Sequence, residues 1–348
     1  MTDIRSLTKD ELTGALTALG EEKFRGAQIY GWLHRQMADS FDEMTNVSLK
    51  LRLVLERQFE LVTLKAVQVL TSQIDGTKKF LFELPDGNVI ESVWMQYHHG
   101  NSVCISSQVG CRMGCRFCAS TLDGLVRGLT ASEMLEQVYQ IRKITGERVD
   151  SVVVMGTGEP LDNYDNLLRF IRLLTSEKGQ HLSGRAITVS TCGLVPQIYR
   201  LADEKLGITL ALSLHASDDE TRKELMPVAR TYGLAEVLGA CDYYFDRTGR
   251  RVSFEYSLIR GVNDRPAAAR ALAMLLGGRN CHVNLIPVNP IKERDYGRGA
   301  WEDIEAFKKV LEKYGINVTI RREMGRDIEG ACGQLRRSYG RSRQERGR

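Results

Sequence analysis

The chain has 348 residues, 43% of them apolar and 26% charged, with a net charge of only +4. That length exceeds one ordinary domain of roughly 100–200 residues, and the composition excludes a disordered or collagen-like chain. The first residues are polar and no apolar run approaches membrane-spanning length, so a cytoplasmic protein with no membrane partner is expected, its eight cysteines serving as ligands, catalytic thiols or core residues rather than as a disulfide framework.

Thr8-Lys9-Asp10-Glu11 fits a capping box, and Leu12, Leu16 and Leu19 follow on one helical face before Gly20. Phe24, Ile29, Trp32 and Leu33 suggest a second helix, and Leu49 to Phe59 a third. From about Val62 the period changes to two. Lys79 to Leu84, the turn Pro85-Asp86-Gly87-Asn88, and Val89 to Gln96 predict a β-hairpin. A domain boundary is expected near residue 98, at His98-His99-Gly100. Beyond it the pattern alternates. Strands are predicted at Val103–Ser107, Ser151–Met155, Ala186–Ser190, Thr209–Leu214, Val252–Leu258 and His282–Pro287, with Val318–Arg321 as a seventh. Amphipathic helices fall between them, for example Ser132–Lys143, Ala267–Leu276 and Glu302–Tyr314. Such alternation predicts an α/β fold with a parallel sheet, as a partial (β/α)6 TIM-like barrel or an open doubly wound sheet. Polar, glycine-bearing and ligand-type residues gather after successive strands, as they do at the mouth of a barrel enzyme. From Arg336 to Arg348 there are six arginines and one acid. Such a basic tail suits a nucleic-acid partner, and equally a solvated end that binds nothing.

The loop after the first barrel strand reads Gly110-Cys111-Arg112-Met113-Gly114-Cys115-Arg116-Phe117-Cys118. Three thiolates in C-x-x-x-C-x-x-C spacing can hold three irons of a cubane cluster. Most ferredoxin-type clusters and structural zinc sites close with four ligands. No fourth cysteine or histidine follows nearby, which leaves one iron open for chemistry. A zinc ion completed by a distant ligand is the competing reading, within a non-catalytic RNA-binding module.

A cluster with an open iron at the mouth of a partial barrel resembles the radical S-adenosylmethionine (SAM) superfamily, whose signature also carries an aromatic residue before the third cysteine, here Phe117. Gly156-Thr157-Gly158-Glu159-Pro160, Ser213-Leu214-His215-Ala216, Asn284-Leu285-Ile286-Pro287 and Gly330-Ala331-Cys332-Gly333-Gln334-Leu335 occur in this order. Together they resemble the radical SAM RNA methyltransferases that methylate carbon 2 of one adenine in 23S ribosomal RNA and one in transfer RNA. The resemblance spans most of the chain. Thr157 departs from it, since many relatives carry methionine there.

The resemblance implies a barrel of the radical SAM type with a small helical N-terminal domain and a β-hairpin linker region. Its divisions would be an RNA-binding-type domain at 1–60, the hairpin region at 61–98, the barrel with a catalytic C-terminal loop at 99–335, and the basic tail at 336–348. It implies a 4Fe-4S cluster on Cys111, Cys115 and Cys118, with SAM at the open iron and two SAM used per turnover. Cys332 would carry the methyl group as S-methylcysteine, Cys104 would form a transient disulfide with Cys332, and Glu91 would accept the carbon-2 proton. SAM contacts would fall at Gly158, Glu159, Ser190, Ser213, Leu214, His215 and Asn289. Cys104 should then not be an inert buried thiol. The partners implied are 23S ribosomal RNA at the peptidyl transferase centre, transfer RNA at the adenine 3′ to the anticodon, and an electron donor such as flavodoxin or ferredoxin; a monomer is expected. A carbon-8 methyltransferase of the same ribosomal adenine is the alternative, against which Glu159-Pro160 favours carbon 2. Each assignment has a plainer competitor: Glu91 as an edge-strand acid, His215 as a satisfied strand-end histidine, and Gly156-x-Gly158 as a nucleotide loop, though Leu161 stands where its third glycine belongs. Cys192, Cys241 and Cys281 read as packing residues.

Overall fold

The computed structural model describes residues 1–288 and 296–328. Three short helices build the N-terminal part: α1 (Lys9–Ala18), α2 (Phe24–Gly31) and α3 (Leu49–Gln58). The capping box at α1 is formed, with Thr8 Oγ1 accepting from the Glu11 amide at 3.3 Å and the Glu11 carboxylate accepting from the Thr8 amide at 2.8 Å. Leu12 and Leu16 are fully buried with Ile29, Leu33, Leu51 and Leu55. Burying each such side chain contributes about 1.5–3 kcal/mol, which short helices of this kind need. A π-helical turn at Trp32–Gln36 extends α2 and stops at Met37, whose backbone is left-handed at φ 58°.

One ten-stranded sheet holds the rest of the described chain. Its strands are β1 (Lys65–Thr71), β2 (Lys78–Glu83), β3 (Val89–Tyr97), β4 (Gly100–Cys104), β5 (Ser151–Val154), β6 (Ile187–Thr191), β7 (Thr209–Ser213), β8 (Val252–Leu258), β9 (Cys281–Pro287) and β10 (Asn317–Ile320). Their spatial order is their chain order. β1 to β4 pair antiparallel, and β4 to β10 pair parallel. The parallel strands are joined through α4 (Ala131–Thr145), α5 (Tyr164–Thr175), α6 (Val195–Asp203), α7 (Asp219–Leu225), α8 (Leu234–Thr248), α9 (Pro266–Leu276) and α10 (Trp301–Lys313). The seven parallel strands give the expected barrel-type half, with its seventh strand present.

The boundary expected near residue 98 falls inside this sheet. His98 and His99 form the turn between β3 and β4, where Tyr97 pairs with Gly100. The hairpin strands thus continue the barrel sheet by antiparallel pairing. The N-terminal helices are tied to the barrel through Arg5, fully buried, which pairs with the Glu136 carboxylate on α4 and donates to the Val62 carbonyl at 2.9 Å and to the Ala38 carbonyl. No described helix is long and apolar enough to cross a membrane.

Candidate active site

The cysteine loop leaves the sheet as a small hairpin of its own. Gln108–Gly110 pairs antiparallel with Leu125–Gly128, so both ends of the loop are fixed. Within it the Cys118 amide donates to the Cys115 carbonyl at 3.2 Å, and Thr121 Oγ1 donates to the carbonyls of Cys115 and Cys118 at 3.1 and 3.0 Å. Burial pushes the Cys111 thiol up to about 12 and raises the Cys115 thiol well above its usual range, and the neighbouring cysteine sulfurs add to both shifts. Such a loop disfavours bare thiolates. A cationic centre supplies the charge that turns them into ligands. No three His, Cys, Asp or Glu side chains among the described residues converge tightly enough to hold a single ion. A cubane spreads its thiolates over separate irons and needs no such convergence.

The loop after β5 forms the next wall. A Cβ at Gly156 would lie 2.6 Å from the Ile105 carbonyl oxygen. At Gly158, φ is +110° and a Cβ would lie 2.6 Å from Gln108 Cβ, so both positions require glycine. Glu159 is buried at 4% exposure. Its carboxylate accepts from the amides of Cys192 at 2.8 Å and Leu161 at 3.1 Å. Burial raises its proton affinity, against the pull of these donors. Thr157 is buried, and its amide donates to Ser106 Oγ at 3.0 Å.

At the ends of β6 and β7, Ser190 and Ser213 stand with their hydroxyls 3.5 Å apart. Leu214 turns its side chain into the main core, and its carbonyl accepts from Arg222 Nε at 3.2 Å. Arg222, fully buried, also donates to the Cys192 carbonyl at 2.8 Å and so fastens these two strand ends together. His215 adopts a left-handed backbone, φ 57°, which costs a non-glycine residue about 1–2 kcal/mol. Asn263 secures it by donating to its carbonyl at 2.7 Å. His215 Nδ1 accepts from the Ser257 amide at 2.9 Å. Burial, with Arg222 nearby, lowers its pKa to about 3. The imidazole is therefore neutral, with its proton on Nε2 as a donor. The Phe117 ring meets it edge-on at 4.7 Å between centroids.

These elements enclose a cavity of about 320 Å³, a size suited to a small ligand. Cys118, Ser190, Ser213, His215 and Cys104 line it. Cys104 is 5% exposed and packs with Val93 and Met95, yet it faces the cavity. Glu91 is 2% exposed and lies on the same face of β3 as the lining residues Val93 and Met95. Because β3 runs against β4, moving from Val93 back to Glu91 moves toward the carboxyl ends of the parallel strands, where Ser106 Oγ donates to the Glu91 carbonyl at 2.7 Å. Asn289 and Cys332, the rest of the Gly330–Leu335 segment and the basic tail lie outside the described residues. Cys192, Cys241 and Cys281 are buried packing residues, Cys192 against Cys115.

Sequence reasoning missed Glu255, Ser257, Arg321, Arg322 and Met324 on the cavity wall. A signal for the first two existed. In β8, Ser253, Glu255 and Ser257 alternate with Val252, Phe254, Tyr256 and Leu258, the pattern of a strand whose inner face is polar. The Glu255 carboxylate accepts from Asn284 Nδ2 at 2.8 Å and from Ser253 Oγ at 3.2 Å, and burial raises its proton affinity.

Residues 105–272 match the Radical SAM superfamily, and residues 2–61 match the ribosomal RNA large subunit methyltransferase N-terminal domain. A dual-specificity RNA methyltransferase RlmN of Lachnospira eligens is 63% identical over 339 residues, covering 97% of both chains. The protein of that name from Clostridium botulinum is 51% identical over 347 residues, covering 100% of both. A radical SAM methyltransferase from Sphaerobacter thermophilus superposes with a TM-score of 0.92 at 44% identity, over 96% of this chain and 99% of that one. Fold and site together define a radical SAM methyltransferase. The chain belongs to the RlmN family of RNA methyltransferases. Membership implies a 4Fe-4S cluster and SAM as cofactors and RNA as substrate.

Proposed function

We propose that the enzyme methylates carbon 2 of one adenine in 23S ribosomal RNA and of the adenine 3′ to the anticodon in transfer RNAs. The observation that carries this reading is the placement of Cys104 on the wall of the cavity that also holds Cys118, Ser190, Ser213 and His215. The relatives' dual specificity supports the two RNA substrates. Carbon 2 of adenine lies between two ring nitrogens and is electron-poor, so it does not attack an ordinary methyl donor. When bound, a cluster on Cys111, Cys115 and Cys118 together with SAM supplies a 5′-deoxyadenosyl radical, and two SAM are used per turnover.

The chain's own residues handle the one-carbon unit. Cys332 carries it as a thioether. Glu91 takes the proton from carbon 2. The Cys104 thiolate attacks the Cys332 sulfur, the S–S bond forms, and the electron pair of the broken C–S bond goes to the methylene carbon, which takes up one proton to become the methyl group. An external thiol or dithiol reductant then restores both cysteines. Gly158 and Glu159 hold the methionyl amine of SAM. Ser190, Ser213, Leu214, His215 and Asn289 complete its contacts, with His215 donating from Nε2. A flavodoxin or ferredoxin supplies electrons to a monomer working in the cytoplasm, and residues 1–60 bind RNA.

The test is mass analysis of 23S ribosomal RNA and transfer RNA after reaction with the anaerobically reconstituted enzyme and SAM. 2-Methyladenosine in both is expected. 8-Methyladenosine, or unmodified RNA despite a loaded cluster, overturns the proposal.

A further inference from the structure

Lys79 is a lysine with no exposed surface. On β2 it pairs with Val93 of β3, and Val93 pairs in turn with Cys104 of β4. Lys79, Val93 and Cys104 thus form one cross-strand row on the cavity face. One step toward the barrel mouth lies Glu91, whose Oε2 is 3.1 Å from Lys79 Nζ. Ser92, on the opposite face, donates to Gln137 of α4 at 2.8 Å, which fixes the pair's orientation toward the cavity. A buried ion pair is weak evidence for stability, because its desolvation cost offsets most of the attraction and an apolar pair of equal volume serves as well. Here the apolar alternative is at hand, since Phe80, Leu81 and Phe82 beside it are all fully buried hydrophobes. A cation in contact with a carboxylate fixes its orientation through a charge-assisted hydrogen bond.

We propose that Lys79 is a positioning residue that holds the Glu91 carboxylate aimed for proton removal. The inference rests on the reading of Glu91 as the base. In the step concerned, the proton leaves carbon 2 of the RNA adduct for the Glu91 carboxylate, and the C–H electron pair stays in the ring. The adduct, formed by radical addition, regains a closed-shell aromatic ring when its one surplus electron passes to a one-electron acceptor, the oxidised form of the electron-carrier protein. Among the described residues, the other charged or titratable groups around this cavity are Cys104 from β4, Cys118 from the cysteine loop, His215 and Glu255 from the far wall, and Arg321, Arg322 and Glu323 from the segment after β10. All of them stay unchanged in the variants below.

The experiment compares K79M, K79Q, K79R and E91Q as anaerobically reconstituted enzymes acting on bulk transfer RNA that lacks 2-methyladenosine. Lysine and methionine have similar volumes, so K79M removes the charge and little else. K79M is expected to load iron and to methylate Cys332 from labelled SAM like the unaltered enzyme, because both precede the proton step. Its formation of 2-methyladenosine should fall by roughly 10- to 100-fold near neutral pH, the usual cost of losing an orienting partner. K79R, which keeps a donor beside the carboxylate, should restore the rate. K79Q gives the same reading if K79M fails to load iron. Infrared difference spectra of the protein alone should show the Glu91 carboxyl stretch, assigned by its loss in E91Q, displaced in K79M and returned in K79R. An E91Q enzyme at full activity would sink the base assignment and this inference with it. Inactive E91Q beside K79M and K79Q of unchanged rate and unchanged Glu91 infrared stretch would sink the Lys79 proposal alone.

Discussion

Arg5 is the fully buried charge at the joint between the N-terminal helices and the barrel, which the more exposed pairs Arg169–Glu11 and Lys143–Asp39 also cross, and replacing it tests its share. Arg5→Met keeps the length of the side chain but removes the donors to Val62 and Ala38 and the charge opposite Glu136. Glu136 is itself fully buried. It keeps two donors, the Leu64 amide at 3.0 Å and Gln140 Nε2 at 3.1 Å, both on Oε2, while Oε1 loses its partner. Removing one member of a buried pair costs about 3–5 kcal/mol, because the other charge is left stranded. At about 1.4 kcal/mol per decade, the folded population falls by roughly two to three and a half decades relative to the unfolded. Arg5→Met combined with Glu136→Gln removes the stranded charge and keeps an acceptor for Leu64, so it should recover most of that loss. Urea unfolding of the reconstituted enzyme, followed by circular dichroism and by tryptophan fluorescence, measures both. Trp32 lies in the N-terminal helical part and Trp94 is buried in β3, so early loss of the Trp32 signal would show the joint opening first. A single variant within about 1 kcal/mol of the parent, or a double variant no more stable than the single, would refute the argument that Glu136 depends on Arg5.

Gly158→Ala should leave the fold intact but weaken SAM binding at least about tenfold, since a Cβ there meets Gln108 at φ +110°; equilibrium binding of SAM to the loaded enzyme measures it, and unchanged affinity counts against the wall described. Cys115→Ala should yield colourless protein without labile sulfide after anaerobic reconstitution, and zinc in place of iron in the parent would overturn the cluster assignment. Cys104→Ala should accumulate a covalent protein–RNA adduct visible on denaturing gels; clean turnover by that variant removes Cys104 from the scheme. Acid should destabilise the fold through His34, which burial, with Arg5 nearby, lowers from 6.5 to about 3. The unfolded chain binds that proton near 6.5 and the folded chain does not, so the contribution is complete above 6.5 and is lost as pH falls, by about 1.4 kcal/mol per unit down to about 3. His34→Gln should flatten the stability profile by that slope, and parallel profiles for parent and variant would contradict it.

Where the apolar pattern was strong, the sequence was enough. The strands at Ser151, Thr209 and Val252 begin where the sequence places them: three successive valines make the first, an apolar core of Leu210, Ala211 and Leu212 the second, and period-two alternation the third. The capping box at Thr8 formed as read, since its signal is local. The turn at His98-His99-Gly100 was legible as a break but not as a hairpin: a linker and a two-residue turn share the same residues, and only the pairing of Tyr97 with Gly100 decides between them. Lys79 was hidden for a related reason. Beside Lys78 it reads as a solvated edge, whereas the fold sets it in an inner strand between Leu70 of β1 and Val93 of β3, neighbours that no local pattern encodes. Arg222, by the same logic, looks like one more charge in a polar helix start, while the fold makes it the bolt between two strand ends.

The arrangement also explains why the antiparallel strands matter to a site built on parallel ones. A parallel strand reaches the mouth only with its last residues, so the ladder of β4 with β5 ends at Cys104. An antiparallel neighbour arrives from the other direction. β3 passes the mouth first, at Glu91, and only then descends beside β4, with Val93 level with Cys104. Two side chains of different chemistry thereby share one rim although the chain visits that rim twice. The register is what holds them together, for a slip of one residue would turn Glu91 toward α4 and bring Ser92 into the cavity. Gln137 guards against that slip from outside: its side-chain oxygen accepts from Ser92 Oγ and from the Ser106 amide, both at 2.8 Å, so a helix facing away from the cavity fixes which face of β3 looks into it.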